Sequence, residues 1–230
     1  MPFLRNIVLK IRRHGLPNTV HALALQALNA IVPFKILRGV YVDRADPAYL
    51  ACPESYKPGF LPARSLQDYA KDPAAQMSAR FVEDAVDSGD QCYAICDGDK
   101  LAAYGWYSTR PTPVGVPELL LHFAPEYVYM YKGFTDSRYR GKRLHAIGMT
   151  RALEHYLGKG YRGIVSYVES TNFDSLKSCF RMGYRVFGSV FLVRIFGRHF
   201  AFSTPGCKPF GFAVRRVAKG AAPGSARAKG

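Results

Sequence analysis

The sequence predicts an α/β fold in which helices flank a mixed sheet. Three observations lead to this prediction. Apolar residues recur at helical spacing in some segments, β-branched and aromatic residues dominate others, and the two kinds of segment alternate along the chain. Of the 230 residues, 48% are hydrophobic, which is enough for a sizeable core. Such an alternation is typical of helices packed on a central sheet.

The first elements are a helix and a strand. Residues 17–31 carry an apolar stripe at helical spacing, so a helix is expected there, and Pro33 is expected to end it. Residues 35–42 then predict a first strand. Residues 43–62 contain four prolines and predict a loop.

A helix and a hairpin follow. Residues 75–88 predict the helix. The hairpin has strands at 91–96 and 100–108, and its turn contains the Asp97-Gly98 pair that favours tight connections. Residues 119–123 predict the start of another strand, which residues 127–135 continue.

The second half of the chain repeats the alternation. After a helix that begins near Leu144, the predicted elements are a strand at 163–168, a helix at 172–182, and strands at 186–194 and 199–202. We therefore expect an N-terminal basic and helical extension (1–34), one α/β domain (35–205) and a disordered basic tail (215–230).

The formal net charge of +15 is unevenly distributed. Residues 1–40 hold six Lys and Arg and no acid, residues 41–130 hold seven bases and thirteen acids, and residues 131–230 hold nineteen bases and four acids. A basic balance favours anionic partners, whether a nucleotide cofactor, a phospholipid surface or nucleic acid. Charge alone does not choose among them.

Other sequence features exclude several classes of protein. No apolar run reaches the roughly 18–20 residues of a membrane span, and residues 1–15 lack the pattern of a secretory signal. The five cysteines show no zinc-site spacing, so no metal is expected. We expect a cytoplasmic protein, with peripheral contact at the inner face of the membrane through residues 1–15 as a further option. The alternative for that segment is a short helix packed against the domain.

The most informative segment is a basic turn between a strand and a helix. It spans Tyr139–His145 and contains Gly141. A strand that enters a helix through a glycine turn leaves several backbone N–H groups unpaired at the helix start, and the helix dipole favours an anion there. The turn therefore predicts a phosphate or pyrophosphate site.

Two segments together resemble the GNAT superfamily of N-acyltransferases. One is the strand–turn–helix around Arg140-Gly141-Lys142. The other begins at Asn172-Phe173-Asp174-Ser175 and leads to Gly183-Tyr184. The resemblance implies a mainly antiparallel central sheet with a splay between two central strands, flanked by helices.

The resemblance also implies a binding site for acetyl-CoA or another acyl-CoA. The residues implied to bind it are Lys132, Gly133, Phe134 and Thr135 on the splayed strand, Arg138, Arg140, Gly141, Lys142, Arg143, Leu144 and His145 at the turn, and Asn172 and Ser175. Backbone amides of the strand would polarise the thioester carbonyl. Asn172 is also expected to cap its helix.

The sequence departs from the family pattern at two positions of the turn. Arg143 and His145 stand where the family has glycine or another small residue. A side chain there would keep phosphate from the backbone, unless both residues already lie in the first helical turn, where φ is negative.

Three residues are candidates for proton transfer. By resemblance, Glu126 or His122 near the start of the splayed strand would act as base, and Cys179 occupies the position where the family often has a tyrosine acid. For each of the three, the alternative is a role without catalysis: Glu126 as a solvated carboxylate, His122 as a half-buried histidine and Cys179 as a packed cysteine.

The sequence thus predicts an N-acyltransferase that moves an acyl group, most simply acetyl, from acyl-CoA to a small-molecule or peptide amine. The alternative is a protein of the same fold without turnover that binds nucleic acid or a membrane surface. Of these two, nucleic acid is the less expected partner, because the basic tail has no aromatic platform.

Overall fold

The computed structural model describes residues 2–217. Its helices are α1 (Pro2–His14), α2 (Leu16–Asn29), α3 (Ala63–Tyr69), α4 (Ala79–Asp87), α5 (Leu144–Gly158) and α6 (Phe173–Arg181). Its strands are β1 (Phe34–Val42), β2 (Lys57–Phe60), β3 (Gln91–Asp97), β4 (Lys100–Ser108), β5 (Thr112–Val114), β6 (Val116–His122), β7 (Tyr127–Thr135), β8 (Gly163–Glu169), β9 (Arg185–Ile195), β10 (Arg198–Ser203) and β11 (Ala213–Arg216).

Eight strands form one sheet in the order β10-β9-β1-β8-β7-β4-β3-β2. Its neighbouring strands are antiparallel except for β7 and β8, which are parallel. The prediction of a mixed, mainly antiparallel sheet with flanking helices is confirmed.

Alternate side chains along the strands separate the two faces of this sheet. Val128 and Met130 of β7 pack with α5, whose Leu153 and Tyr156 are buried against them. On the other face, Trp106 of β4 packs with α3 and α4. The sheet is therefore the middle layer, with α5 packed on one face and α3 and α4 packed on the other.

A second, three-stranded sheet (β11-β6-β5) covers the part of that other face around Tyr127 and Tyr129. The predicted strand at 119–123 belongs to this small sheet, as part of β6, and does not continue into β7. The reason is the chain between them, where Ala124 and Pro125 form a loop that Phe210 holds through a backbone hydrogen bond.

The loop predicted at 43–62 is wrong in part, because β2 lies within it. Pro58 and Gly59 weaken the strand signal, and both are tolerated because β2 is the edge strand. Helix α3 was not predicted, and the helix predicted from residue 75 begins at Ala79. Ser78 accepts a hydrogen bond from the Phe81 amide and so caps α4.

The basic tail was predicted to begin at residue 215, but Arg215 and Arg216 belong to β11. Their strand pairs with β6. Residues 218–230 of that predicted tail lie outside the described residues.

Candidate functional site: a splayed strand pair and the turn before α5

Strands β7 and β8 separate after a short parallel ladder. Tyr127, Val128 and Tyr129 pair with residues 163–165. After Tyr129, no further residue of β7 pairs with β8 within the described part of the chain. Just past the last pair, the Ser166 hydroxyl donates a 2.7 Å hydrogen bond to the Met130 carbonyl. Beyond this point β7 stays paired with β4 on one side only. The two strands therefore enclose a gap that opens towards their C-terminal ends.

A β-bulge lies on β7 where the gap begins. Trp106 of β4 pairs with Lys132 and Tyr107 pairs with Met130, so Tyr131 is an extra residue. A bulge places two adjacent side chains on one face. Lys132 lies 4.5 Å from the centre of the Phe81 ring, on the side covered by α4. Tyr131 and Lys132 therefore both face this side of the sheet.

Asp136 fixes the end of β7 where the turn begins. Its carboxylate accepts a 2.9 Å hydrogen bond from the Arg138 amide and pairs with the Arg138 guanidinium at 2.6 Å. These bonds hold the pKa of Asp136 at about 2. Arg138, a predicted ligand, is therefore engaged by Asp136.

The backbone of the turn has two left-handed residues. Gly141 has φ of +82° and Arg143 has φ of +61°. Helix α5 begins only at Leu144, so the interpretation that Arg143 lies in the first helical turn is wrong. It is the residue before the helix, in a conformation that favours glycine. His145 does lie within α5.

The turn presents a group of unpaired backbone donors. Among the described residues, no acceptor is recorded for the amides of Gly141, Arg143, Leu144, His145 and Ala146. The helix behind them has 15 residues, and its dipole places partial positive charge at this end. Residues 140–143 are exposed to solvent. This geometry suits an anion.

The four basic side chains at the turn differ in their partners. Lys142 donates a 3.1 Å hydrogen bond to the Tyr56 hydroxyl and lies over the Tyr139 ring, while Arg138 is paired with Asp136. Within the described residues neither Arg140 nor Arg143 forms an ion pair, although Arg140 lies near enough to Asp136 to help lower the pKa of that carboxyl. These two arginines are therefore the charges available to an anion.

His145 turns its ring towards the strand rather than the solvent. A Cβ atom on Gly133 would lie 2.5 Å from His145 Cε1, which shows how closely the ring packs on β7. Burial lowers the pKa of His145 to about 4. The imidazole is therefore neutral at pH 7, and its contribution at the turn is packing together with its backbone amide.

The second predicted segment follows the open end of β8. The Asn172 side chain accepts a 3.2 Å hydrogen bond from the Ser175 amide, so Asn172 caps α6 as predicted. Because β7 and β8 are parallel, the turn before α5 and the start of α6 lie at the same edge of the sheet. The two segments that carry the resemblance are thus brought together at the open end of the gap.

The three predicted catalytic residues are not brought together. Glu126 precedes β7, six residues or about 20 Å of strand from Lys132, and lies 3.6 Å from Arg162. His122 ends β6, where it pairs with Ala213 in the small sheet. Burial lowers the pKa of His122.

Cys179 packs against the core on the α5 side of the sheet. Burial raises the pKa of its thiol to about 11. The thiol is therefore protonated at neutral pH.

The structure reveals a carboxylate near the gap, Asp90, that the sequence did not mark. Tyr131, at the bulge, faces the Asp90 carboxylate, which also faces Ser108. Tyr167 of β8 lies 6.4 Å from Tyr129, ring centre to ring centre. Burial raises the pKa of Asp90. No sequence motif marks Asp90, because its position depends on the register of β3 beside β4.

The described residues contain no group of three or more His, Cys, Asp or Glu side chains arranged to hold a metal ion. In the same part of the chain, every helix is too short or too polar to cross a bilayer.

Several solved structures are similar to this chain. A GNAT-family protein from Novosphingobium aromaticivorans is 13% identical over 80% of this chain and 66% of its own, with a TM-score of 0.48. A GNAT-family acetyltransferase from Colwellia psychrerythraea is 16% identical over 78% and 62%, with a TM-score of 0.48. An aminoglycoside acetyltransferase from an uncultured soil sample is 10% identical over 56% and 88%, with a TM-score of 0.44.

This chain thus spans just under two thirds of the length of the first two proteins. No curated protein matches the sequence. The model of the acetyltransferase (GNAT) family matches residues 54–184, a segment that runs from just before β2 to just before β9 and contains the gap, the turn and α6. Because this match covers more than half of its length, the chain belongs to the GNAT family of acetyltransferases.

Proposed function

We propose that this enzyme takes an acyl group, most simply acetyl, from acyl-CoA and transfers it to an amine by direct attack. The observation that carries the proposal is the group of unpaired amides at residues 141 and 143–146, which lies beside the exposed residues Arg140 and Arg143 at the open end of the gap. Neutral backbone donors in a cluster, reinforced by two arginines, match the diphosphate of coenzyme A.

The residues present fit such a donor. Gly141 has open space where a side chain would be, so a phosphate has room to approach the backbone there. Asn172 and Ser175 flank the same edge of the sheet and would contact the pantetheine arm. Acyl-CoA supplies an activated thioester. Backbone amides of Lys132 to Thr135 that face the gap would orient its carbonyl and stabilise negative charge on the oxygen.

The proton acceptor is best sought on the face opposite α5. Tyr131 and Tyr167 lie on that face, where an arm that entered the gap from the α5 side would end. There, Asp90 and Tyr131 form a polar pair, and the raised pKa of Asp90 suits a carboxylate that removes a proton from an ammonium group. We propose Asp90, acting directly or through Tyr131, ahead of Glu126, His122 and Cys179.

The charge distribution supports a cationic acceptor. Residues 41–130, which include α3, α4, β3 and β4, hold thirteen acids and seven bases. This is the acidic part of a basic protein, and it covers the face on which the acceptor would approach. Such a field attracts protonated amines, whether in a small molecule or in a peptide.

Thermal unfolding in the presence of acetyl-CoA, longer acyl-CoA thioesters and free coenzyme A tests donor binding. A ligand at about 100 times its dissociation constant stabilises a protein by about 2.7 kcal/mol. The double variant Arg140→Ala/Arg143→Ala is expected to lose this gain. Arg64→Ala/Lys159→Ala, which also removes two positive charges but away from the turn, is the matched control. If the double variant responds to the ligand as the wild type does, the proposed diphosphate position is wrong.

Release of free thiol with a panel of amines tests turnover. Asp90→Asn is expected to lower kcat with little change in the affinity for acyl-CoA, because it removes the base and leaves the donor site. Glu126→Gln is the matched carboxylate control. Loss of activity in Glu126→Gln with retention in Asp90→Asn would reverse our order of candidates.

A further inference from the structure

The turn between β9 and β10 carries an unusual phenylalanine. Phe196 and Gly197 both have positive φ, +46° and +75°, as a type I′ turn requires. Such turns favour Asn, Asp or Gly at the first position, and a phenylalanine there is strained. Its side chain is also fully exposed. Neither the fold nor the packing of this protein accounts for Phe196, and strained residues of this kind mark functional surfaces.

Further apolar side chains are exposed beside Phe196. Ile195, Phe200 and Phe202 share one face of the hairpin, because Phe200 pairs with Val193 and Phe202 pairs with Phe191. The side chain of Phe202 is 61% exposed. The Arg194 amide donates a hydrogen bond to the Pro33 carbonyl. This bond places the chain at the end of α2, with its exposed Ile31, beside the β9–β10 hairpin.

The two segments that form this end of the sheet contain no acidic residues of their own. Elements α1, α2 and β1 come from residues 1–42, and β9 and β10 come from residues 185–203, and neither segment contains Asp or Glu. The sheet order β10-β9-β1 joins these two segments although they are far apart in sequence. The uneven charge of the sequence thus becomes one basic end of the molecule.

The arginines nearest to Phe196 carry uncompensated charge. Arg13, Lys35 and Arg185 of this end are paired with carboxylates of neighbouring elements. Arg194 and Arg198 flank the turn, and neither of them forms an ion pair with another described residue. An exposed phenyl ring therefore projects between two arginines available to an external anion.

From this arrangement we infer that the β9–β10 turn is a membrane anchor that docks on anionic phospholipid. Phe196 enters the interfacial region of the bilayer, with Ile195 and Ile31 behind it, and Arg194 and Arg198 bind lipid phosphates. Charge complementarity favours the bilayer, because the two arginines that flank the apolar centre have no ion pair within the described residues, and the carboxylate of Glu118 lies farther along β10, beside His199. The surface lies outside residues 1–15, the membrane contact expected from the sequence. The inference does not depend on the proposed acyl transfer.

Co-sedimentation of the full chain with phospholipid vesicles tests the anchor. The wild type is expected to bind vesicles of phosphatidylcholine mixed with phosphatidylglycerol, and to bind phosphatidylcholine alone only weakly. Phe196→Asn is expected to weaken binding by about tenfold or more, because it removes the inserted ring. It also replaces the strained residue with one that the turn favours, so its melting temperature is expected to equal or exceed that of the wild type. Phe196→Trp keeps an interfacial aromatic and is expected to bind.

Charge is tested separately. Arg194→Gln/Arg198→Gln is expected to weaken binding to the anionic vesicles by about tenfold, whereas Arg64→Gln/Lys159→Gln, with the same change of charge elsewhere, is the matched control. Equal binding of Phe196→Asn and the wild type overturns the inference. It is also overturned if the wild type binds no vesicles but forms a dimer that Phe196→Asn abolishes, or if it binds only nucleic acid.

Discussion

Arg143 places a large cation where the backbone conformation favours glycine. Its φ of +61° costs roughly 1–2 kcal/mol for an L-residue with a side chain. The strain is located next to the unpaired amides of the turn, as expected for a residue retained for its charge. A glycine at this position would relax the backbone but would remove one of the two arginines of the turn that form no ion pair among the described residues. Arg143 thus links backbone strain to the proposed diphosphate site.

His145 makes stability depend on pH. Its pKa in the folded protein is about 4, below the ordinary value of 6.5. Between these values the unfolded chain binds more protons than the folded one, so stability is full above pH 6.5 and decreases as pH falls towards 4. Between pH 7 and pH 5 we expect a loss of at most about 2 kcal/mol, less to the extent that solvent reaches the ring edge. Urea unfolding at pH 7 and at pH 5 measures it.

The variant His145→Gln isolates this contribution. Asp136 also titrates, but its pKa of about 2 lies below its ordinary value of 3.8, so its effect belongs to lower pH. The wild type is expected to lose more stability than His145→Gln between pH 7 and pH 5. Equal losses in the two proteins would show that the ring is protonated without cost.

At the scale of elements, the packing of β7 against α5 sets the position of the turn. Gly133 has no side chain, and the His145 ring and the Met130 methyl occupy the space where one would be. Gly133→Ala would place a Cβ atom 2.5 Å from His145 Cε1 and 2.7 Å from Met130 Cε. We expect a destabilisation of about 1–3 kcal/mol by urea unfolding, with weaker binding of acetyl-CoA because the start of α5 shifts.

Gly148→Ala is the matched control for this substitution. It adds the same methyl group within α5, where the nearest atom is 3.6 Å away, and alanine is the better helix former. Its stability is expected to equal or exceed that of the wild type. Wild-type stability in Gly133→Ala would mean that strand and helix are not held together at this point.

The elements of the site were predictable because their signals are local. The apolar run of β7, the glycine turn and the periodicity of α5 lie within one short stretch of sequence, and Asn172 marks the start of α6 by cap chemistry. The bulge at Tyr131 was not predictable, since it arises from the register of β7 on β4. For the same reason Asp90 was missed, and Glu126 was chosen from its position in sequence.

At the scale of the whole molecule, strand order divides the charge. The N-terminal strand β1 is inserted between β8 and β9, and this insertion joins the two acid-free segments at one end of the sheet. The acidic stretch 41–130 supplies β2, β3 and β4 at the other end. The gap between β7 and β8 lies between these two regions. A cationic acceptor and an anionic membrane would therefore be attracted to different ends of the same protein.

The C-terminal strand β11 closes the small sheet over the larger one. Phe212 and Val214 are buried in the core that Tyr127, Tyr129 and Leu121 share. Removal of residues from 212 onward would take both side chains from this core, and each contributes about 1.5–3 kcal/mol. The expected loss of about 3–6 kcal/mol is a large part of the 5–15 kcal/mol that is usual for a domain.

A comparison of two truncated chains tests this role of β11. The chain that ends at Gly211 is expected to unfold at much lower urea concentration than the chain that ends at Val217, because only the longer one retains Phe212 and Val214. Both lack residues 218–230, so their difference reports β11 and the two residues that flank it, Phe212 and Val217. If the two chains have the same midpoint, the small sheet does not depend on β11, and the cover over Tyr127 and Tyr129 is held by β5, β6 and the segment around Cys207 instead.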